Sequence, residues 1–288
     1  MIETPCKVNL HLGIHHELDA RGYHRVDSIM APIALFDTVS VEDAAELSVS
    51  FSPALEVAPE KTGVWRAATL LAEVLGREPR VRVSVTARIP ERAGLGGSSA
   101  DAGATLRALA ARWGTDPLDE RVVGVARRIG ADVPFFLCPR TSLHIGAGDV
   151  LARELPGLEI PVALVIPASA GVSTKDAYAE FDRSGEDPAS FEPMCAALES
   201  HDARAVAACL HNNLAPAARA LCAEVSEVEG WLSEQPGVMA AQVTGSGSCS
   251  FALCESESAA RAIASFARAE HGWRAWATKT IGNAEKIC

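Results

Sequence analysis

The sequence has little lysine. Only five lysines stand among its 26 basic residues, at positions 7, 61, 175, 279 and 286, so each can be weighed singly. Aromatic residues make up 5% of the chain, and only two are tyrosines, Tyr23 and Tyr178. No apolar run approaches ~18 residues, and no amino-terminal stretch joins a charged start to an apolar segment. A membrane span and a secretory leader are therefore not expected, and a soluble, cytoplasmic protein is. Eight cysteines lie at 6, 138, 195, 209, 222, 249, 254 and 288, none at CxxC spacing. Thiols in a reducing compartment are the expectation, not a metal site or disulfides. The net charge of −11 excludes a broad nucleic-acid-binding face but leaves room for a local basic pocket holding a small anion. There are no internal repeats and no low-complexity tracts. A monomer and a weak homodimer both stay open.

What the chain does have is a glycine-rich stretch at residues 89–102, ending Gly94-Leu95-Gly96-Gly97-Ser98-Ser99-Ala100-Asp101-Ala102. Small and apolar residues then recur at Ala102, Leu106, Leu109, Ala110 and Trp113, with Arg107 and Arg112 on the other face, which is helical spacing. A glycine loop that feeds a helix start near Ser99 is a ready anion site. Such a terminus carries about half a positive charge and several unpaired N–H groups. Ser98 and Ser99 add hydroxyls that can cap the helix, touch a phosphate or ligate magnesium. No Gly-Lys-Ser/Thr follows, so the loop is not a Walker A motif. Nor does it read as a dinucleotide fingerprint, which opens a βαβ unit and places an acidic residue about 20 residues on; residues 116–121 sit near that offset but read as a helix start.

Residues 3–14 alternate, with Cys6, Val8, Leu10 and Leu12 on one face of a strand and Lys7, Asn9 and His11 on the other. That polar face reads either as solvated or as functional. A polar loop at residues 19–28 follows, in which Gly22-Tyr23-His24 is either a surface turn or a seat for a flat heterocycle. Short strands are expected at 39–41 and 47–51, a helix at 64–75 stopped by Gly76, and a strand at 80–86. Asp116-Pro117 reads as the start of a helix running to Ile129 and ending at Gly130. Pro134 pushes Val133 towards extended geometry, so Asp132 is placed on a helix-to-strand bend. There it either bonds local N–H groups or serves as an oriented base. Residues 140–153 have strand and glycine-turn character, and charge and proline density place a domain boundary near 155. An apolar strand at 159–167 leads to a short helix capped by Ser173 or Thr174 and carrying Tyr178. A helical stretch covers 190–235. Strands at 238–243 and 249–254 are joined by Thr244-Gly245-Ser246-Gly247-Ser248, which is either a hairpin turn or a second glycine loop facing the first. A helix at 256–270 and a strand near 273–279 complete a two-layer α+β unit with an antiparallel sheet.

Together these pieces resemble the GHMP kinase superfamily, whose Pro-x-x-x-Gly-Leu-Gly-Ser-Ser-Ala-type loop corresponds to residues 90–100. Within it they are most similar to the branch acting on 4-diphosphocytidyl-2-C-methyl-D-erythritol in the non-mevalonate route to isoprenoid precursors. The matching pieces are Pro5-Cys6-Lys7-Val8-Asn9-Leu10, Arg21-Gly22-Tyr23-His24, the glycine loop, Gly130-Ala131-Asp132-Val133-Pro134-Phe135-Phe136, Val172-Ser173-Thr174 and Thr244-Gly245-Ser246-Gly247. They occur in family order over nearly the whole chain.

The resemblance implies a two-domain α+β fold. A ribosomal-protein-like α/β domain with a left-handed βαβ unit would span 1–155, and a ferredoxin-like α+β domain 156–288, with the active site in the cleft between them. It implies ATP- and Mg2+-dependent phosphorylation of the 2-hydroxyl of a CDP-linked polyol, a small-molecule kinase with no nucleic-acid or membrane partner. Lys7 and Asp132 match its catalytic residues. Pro90, Ala93, Gly94, Leu95, Gly96, Gly97, Ser98, Ser99 and Ala100 match its ATP phosphate loop. Asn9, Tyr23, His24, Thr174, Tyr178, Thr244 and Gly245 match its substrate contacts, with the two tyrosines sandwiching the cytosine. No side chain is assigned to the metal. Thr62 and Ala87 stand where the family pattern has asparagine and lysine near the nucleotide, Ser98 replaces a third loop glycine, and Asn213 replaces an acidic residue.

Overall fold

In the computed structural model, residues 1–169 and 171–282 are described. Two strands dominate the amino-terminal half. β1 (Ile2–Leu18) and β2 (His24–Asp43) form an antiparallel hairpin of 17 and 20 residues. The polar loop expected at 19–28 therefore shrinks to a turn at 19–23, and the strand expected at 39–41 is the end of β2. The apolar residues around Ile29 continue an extended backbone that is paired on both sides, so no break falls between them. After β2 come β3 (Ser48–Ser52), α1 (Gly63–Leu75) and β4 (Val81–Thr86), with β3 parallel to β4. Gly76 ends α1 at φ 63°, as a left-handed C-cap. The loop helix is α2 (Gly97–Arg112), followed by α3 (Glu120–Ile129), β5 (Ser142–Ile145) and β6 (Val150–Glu154). α3 starts later than its proline signal implies, because the Asp116 carboxylate accepts from Leu118 N–H in a local turn while Asp119 caps the helix.

The second sheet is built from β7 (Pro161–Ile166), β9 (Val238–Val243), β10 (Ser250–Cys254) and β11 (Arg274–Lys279), in the order β11-β7-β10-β9 with every pair antiparallel. Between β7 and β9 lie α4 (Thr174–Ser184), α5 (Glu192–Glu199), α6 (Ala203–Ala208), a two-residue strand β8 (His211–Asn212), α7 (Ala215–Leu221) and α8 (Ala223–Ser233). α9 (Glu257–His271) joins β10 to β11. The first sheet runs β3-β4-β2-β1-β8, with β5 pairing β2 and β6. β8 thus returns from the second half of the chain to extend the first sheet alongside β1.

The core explains why β1 does not read as a half-exposed strand. Val8, Leu10 and Ile33 of the first sheet pack in one cluster with Val162, Leu164 and Phe251 of the second. The opposite face of β1 is covered too: Lys7, Asn9 and His11 are all buried. The solvated-face reading of that polar row is therefore excluded, and Lys7 and Asn9 find the partners that buried polar groups require. No helix among the described residues is long and apolar enough to cross a membrane. Cys6, Cys195, Cys209, Cys222, Cys249 and Cys254 are free thiols, while Cys138 is disulfide-bonded, against the all-thiol expectation. Spacing along the chain says nothing about which sulfurs meet in space. Cys288 lies outside the described residues.

α2 departs from its amphipathic reading. It is packed against α1, β1, β2 and the 3-10 segment after Asp132, and Asp101 and Arg107 are buried rather than solvated. Asp101 meets Asp37 of β2, which accepts from the N–H groups of Arg88 and Ile89 just ahead of the glycine loop. Burial pushes the Asp101 carboxyl up to about 8, with the Asp37 charge adding to it. A free carboxyl ionises near pH ~4. Between there and about 8 the folded protein holds a proton that the unfolded chain releases. This contribution is complete below pH ~4 and is lost as pH rises through the folded value. Asp101→Asn, uncharged at every pH and able to donate to Asp37, should flatten the fall in stability between pH 5 and 9. Denaturant titrations across that range check this; an unchanged slope would show that Asp101 ionises freely in the fold.

Candidate active site

Two glycine loops meet over β1. The first links β4 to α2, and the second, Thr244–Ser248, turns β9 into β10. The second loop is therefore both a hairpin and a partner of the first. Gly94 sits at φ 74°, and a Cβ there would lie 2.1 Å from the Thr244 carbonyl oxygen. Only glycine allows that backbone angle and that approach together. Cys249 N–H donates to Ala93 O at 3.2 Å, and Lys7 N–H donates to Leu95 O at 3.0 Å, so the loop is tied to both sheets. Gly96, at φ 78°, is the N-cap of α2, with no side chain capping that terminus. The helix begins at Gly97, which places Ser98 and Ser99 inside its first turn; neither caps it.

Beneath the loops runs a polar chain. Lys7 is 3% exposed, and its Nζ donates to Asn9 Oδ1 at 2.7 Å and stands 3.5 Å from Asp132 Oδ2. Asn9 Nδ2 donates to Ser28 Oγ at 2.8 Å, and Asn9 N–H donates to Thr244 Oγ1 at 3.1 Å. Thr244 Oγ1 in turn donates to Asn9 Oδ1 at 3.2 Å. Asn9 thereby joins the two lobes at the ammonium. Gly245 lies against Gly94, and Asn212 Nδ2 donates to Gly245 O at 2.9 Å. Asp132 is the cap of a 3-10 turn, Val133–Leu137, rather than a bend into a strand; its side chain is 37% exposed. The proline ring is accommodated at the second residue of that turn, where a missing N–H costs nothing.

A ring cluster lies to one side. Tyr178 on α4 faces His24 at 5.4 Å between ring centres. Burial, reinforced by the Asp132 charge, pushes the Tyr178 phenol up. The His24 ring is fixed by Nδ1–H donating to His15 O at 2.7 Å and by Asp182 Oδ1 at 3.1 Å from Nε2. The ring found directly against Tyr178 is His24. Tyr23 is 58% exposed at the tip of the β1–β2 turn, with the Arg21 guanidinium 5.3 Å from its ring centre. Thr174 opens α4 and shares a 3.0 Å hydrogen bond with Ser246, while Ser173 caps the helix.

The positions that depart from the family pattern have local partners. Thr62 caps α1, accepting from Trp65 N–H at 3.2 Å, and Ala87 N–H donates to Ser52 O. Asn213 accepts from Ile14 N–H and donates to Ile14 O, both at 2.8 Å, and donates to Glu186 O at 2.9 Å. An acid there could not donate, so the amide is dictated by the backbone it serves.

Residues that motif reading passes over also crowd this region. His144 is buried beside Ser28 in the β2–β5 register, and burial lowers its imidazole to about 4 against the opposing Asp132 charge. Asp37, Asp101 and Asp182 belong to the same surroundings. The signal that could have found Asp37 is an acid directly after the apolar run 29–36.

The family model for the GHMP kinases N terminal domain matches residues 63–140, and that for the GHMP kinases C terminal domain matches 194–272. A 4-diphosphocytidyl-2-C-methyl-D-erythritol kinase of Rhodococcus jostii is 35% identical over 93% of this chain and 88% of its own length. One from Desulfitobacterium hafniense is 34% identical over 96% and 94%. A crystal structure of 4-(cytidine 5'-diphospho)-2C-methyl-D-erythritol kinase superposes with TM-score 0.79 at 32% identity, covering 98% of this chain and all of that one. Leishmania major mevalonate kinase shares the fold, with TM-score 0.70 at 17% identity.

Gly94→Ala should destabilise the protein by at least ~1–3 kcal/mol, the usual cost of a strained backbone angle, because the new methyl also meets the Thr244 carbonyl. Thermal melts alongside turnover check this. A variant as stable and as active as the parent would mean that the two loops do not close on each other.

Proposed function

This chain belongs to the 4-diphosphocytidyl-2-C-methyl-D-erythritol kinase family of GHMP kinases, and we propose how its own residues carry that reaction. The chain is a small-molecule kinase that transfers the γ-phosphoryl group of ATP to the 2-hydroxyl of 4-diphosphocytidyl-2-C-methyl-D-erythritol. The observation that carries the residue assignment is the convergence, at one point, of the Lys7–Asp132 pair, the Asn9–Thr244 link between lobes and the uncapped α2 terminus.

Phosphoryl transfer is mostly positioning and charge stabilisation. The N–H groups of the first glycine loop and of the α2 start would receive the ATP phosphates, with Pro90, Ala93, Leu95 and Ala100 shaping the loop that presents them. Asp132 would accept the proton of the attacking hydroxyl, and Lys7 would draw charge from that oxygen. Asn9 holds Lys7, and Thr244 holds Asn9, so the catalytic pair is set by contacts from both lobes. Tyr178 and His24, with Tyr23 at the rim, would take the cytosine. Thr174 and Gly245 would line the path from base to hydroxyl. Binding of the remote base then fixes the reacting oxygen in line.

No group of three or more His, Cys, Asp or Glu side chains among the described residues could cage a metal ion. Magnesium keeps several waters and binds chiefly through substrate phosphates, so it would need few protein ligands. Ser98, Ser99 or Asp132 would add one oxygen ligand, and the ion would neutralise phosphate charge. With Thr62 and Ala87 at the family's asparagine and lysine positions, adenine-side contacts would differ from the family's. The division between lobes would fall near residue 155, and the location would be cytoplasmic.

ADP formation with the cytidyl substrate, run beside mevalonate and homoserine, tests the substrate. Turnover is expected with the first alone; turnover with either other alcohol would discard the cytosine pocket. Tyr178→Ala should raise KM for the cytidyl substrate about 10- to 100-fold, since one base–aromatic stack is worth ~1–3 kcal/mol. A fall in kcat at unchanged KM would overturn its assignment.

A further inference from the structure

Among the residues assigned to the base, Tyr23 is held least by packing. It stands exposed on the five-residue turn between β1 and β2, yet the turn beneath it is rigidly bonded. Asp19 Oδ1 accepts from the N–H groups of Arg21 and Tyr23 at 2.8 and 3.0 Å. Asp19 N–H donates to Tyr23 O at 2.7 Å, and Gly22 N–H donates to Asp19 O at 2.9 Å.

Arg21 joins this turn to a distant part of the fold. Its Nε donates to Asp19 Oδ2 at 2.8 Å and its Nη1 donates to Asp149 Oδ2 at 3.0 Å. Asp149 is buried, in the connection between β5 and β6. Its other oxygen accepts from Ala147 N–H at 3.1 Å, and its carbonyl accepts from Arg127 Nε at 3.1 Å. An arginine shared by two carboxylates, one of them buried, is unlike an ordinary surface ion pair. The planar fork spans both acids in one geometry, which a lysine could not do. Both acids hold the guanidinium charged, above its ordinary value. Held in this way, it lies against the Tyr23 ring at 5.3 Å from its centre, within cation–π range.

We propose that Arg21, clamped between Asp19 and Asp149, is a positioning residue that sets the Tyr23 ring for stacking on the base of the nucleotide-linked substrate. This rests on the reading of Tyr23 as a base contact. An exposed tyrosine that turns freely must be immobilised when a base stacks on it, and the clamp removes part of that cost beforehand. The device acts on binding of the cytidyl substrate alone. It touches neither the ATP loop nor Asp132.

Steady-state kinetics of Arg21→Ala, Arg21→Lys, Asp149→Asn, Tyr23→Ala and the Arg21→Ala/Tyr23→Ala double variant test this. Each substrate is varied separately, and melting temperatures are recorded. Arg21→Ala should raise KM for the cytidyl substrate roughly 3- to 10-fold, the range for immobilising one side chain. kcat and the KM for ATP should hold. Arg21→Lys should fall between, and the near-isosteric Asp149→Asn should raise the same KM even if Arg21→Ala melts early. The double variant should be no worse than Tyr23→Ala.

If Arg21→Ala costs its full factor in the Tyr23→Ala background, Arg21 acts on the substrate directly and the proposal fails. It also fails if Tyr23→Ala raises KM while Arg21→Ala and Asp149→Asn do not. If Tyr23→Ala itself leaves KM unchanged, the base-contact reading of Tyr23 is what has failed, and the clamp falls with it.

Discussion

A lysine ammonium taken out of water must find partners, and that demand organises this molecule. Lys7 is almost wholly buried and answers to Asn9 and Asp132. An unpaired charge in that place would cost several kcal/mol. Asn9 is held in turn by Ser28 on β2 and by Thr244 on the β9–β10 hairpin. The ammonium is thus the point at which two sheets, far apart in sequence, are obliged to meet. Gly94 serves the same meeting, since a side chain there would run into the Thr244 carbonyl.

The chain carries a net charge of −11 and yet binds a polyanion, ATP. The contradiction is resolved locally. The α2 start and the loop N–H groups provide positive potential that needs no side-chain cation. Ahead of the loop, burial and the Asp37 charge push the Asp101 carboxyl up, which disfavours a second buried negative charge there. Asp37 also bonds the N–H groups of Arg88 and Ile89, so the same pair shapes the entry to the loop.

The sequence was most legible where structure is local. Gly76 as a helix stop, Ser173 as a cap, the strict alternation of Val81, Val83 and Val85, and the strand–loop–strand around Thr244 all depend on neighbours within a few residues. It was least legible where one residue serves a distant one. That Asn213 must donate to Ile14 O, 199 positions away, is written nowhere near Asn213. Nor does local pattern tell that the ring against Tyr178 is His24, or that Asp101 meets Asp37. The burial of the Lys7 face was misleading for the same reason. Alternation marks one face of a strand as apolar, but only tertiary packing says whether the other is wet. The glycine loop was readable as a loop before a helix, while its closure on a second glycine loop depends on how the two sheets stack.

Asp132, held beside Lys7, is assigned the proton of the attacking hydroxyl. That assignment is tested most directly by kcat of Asp132→Asn with the cytidyl substrate at saturating ATP. A fall of roughly 10²- to 10⁴-fold is expected, the usual contribution of a positioned base, with both KM values little changed. A kcat close to that of the parent would contradict it. Catalysis would then rest on phosphate positioning alone, with Asp132 no more than the counter-charge of Lys7.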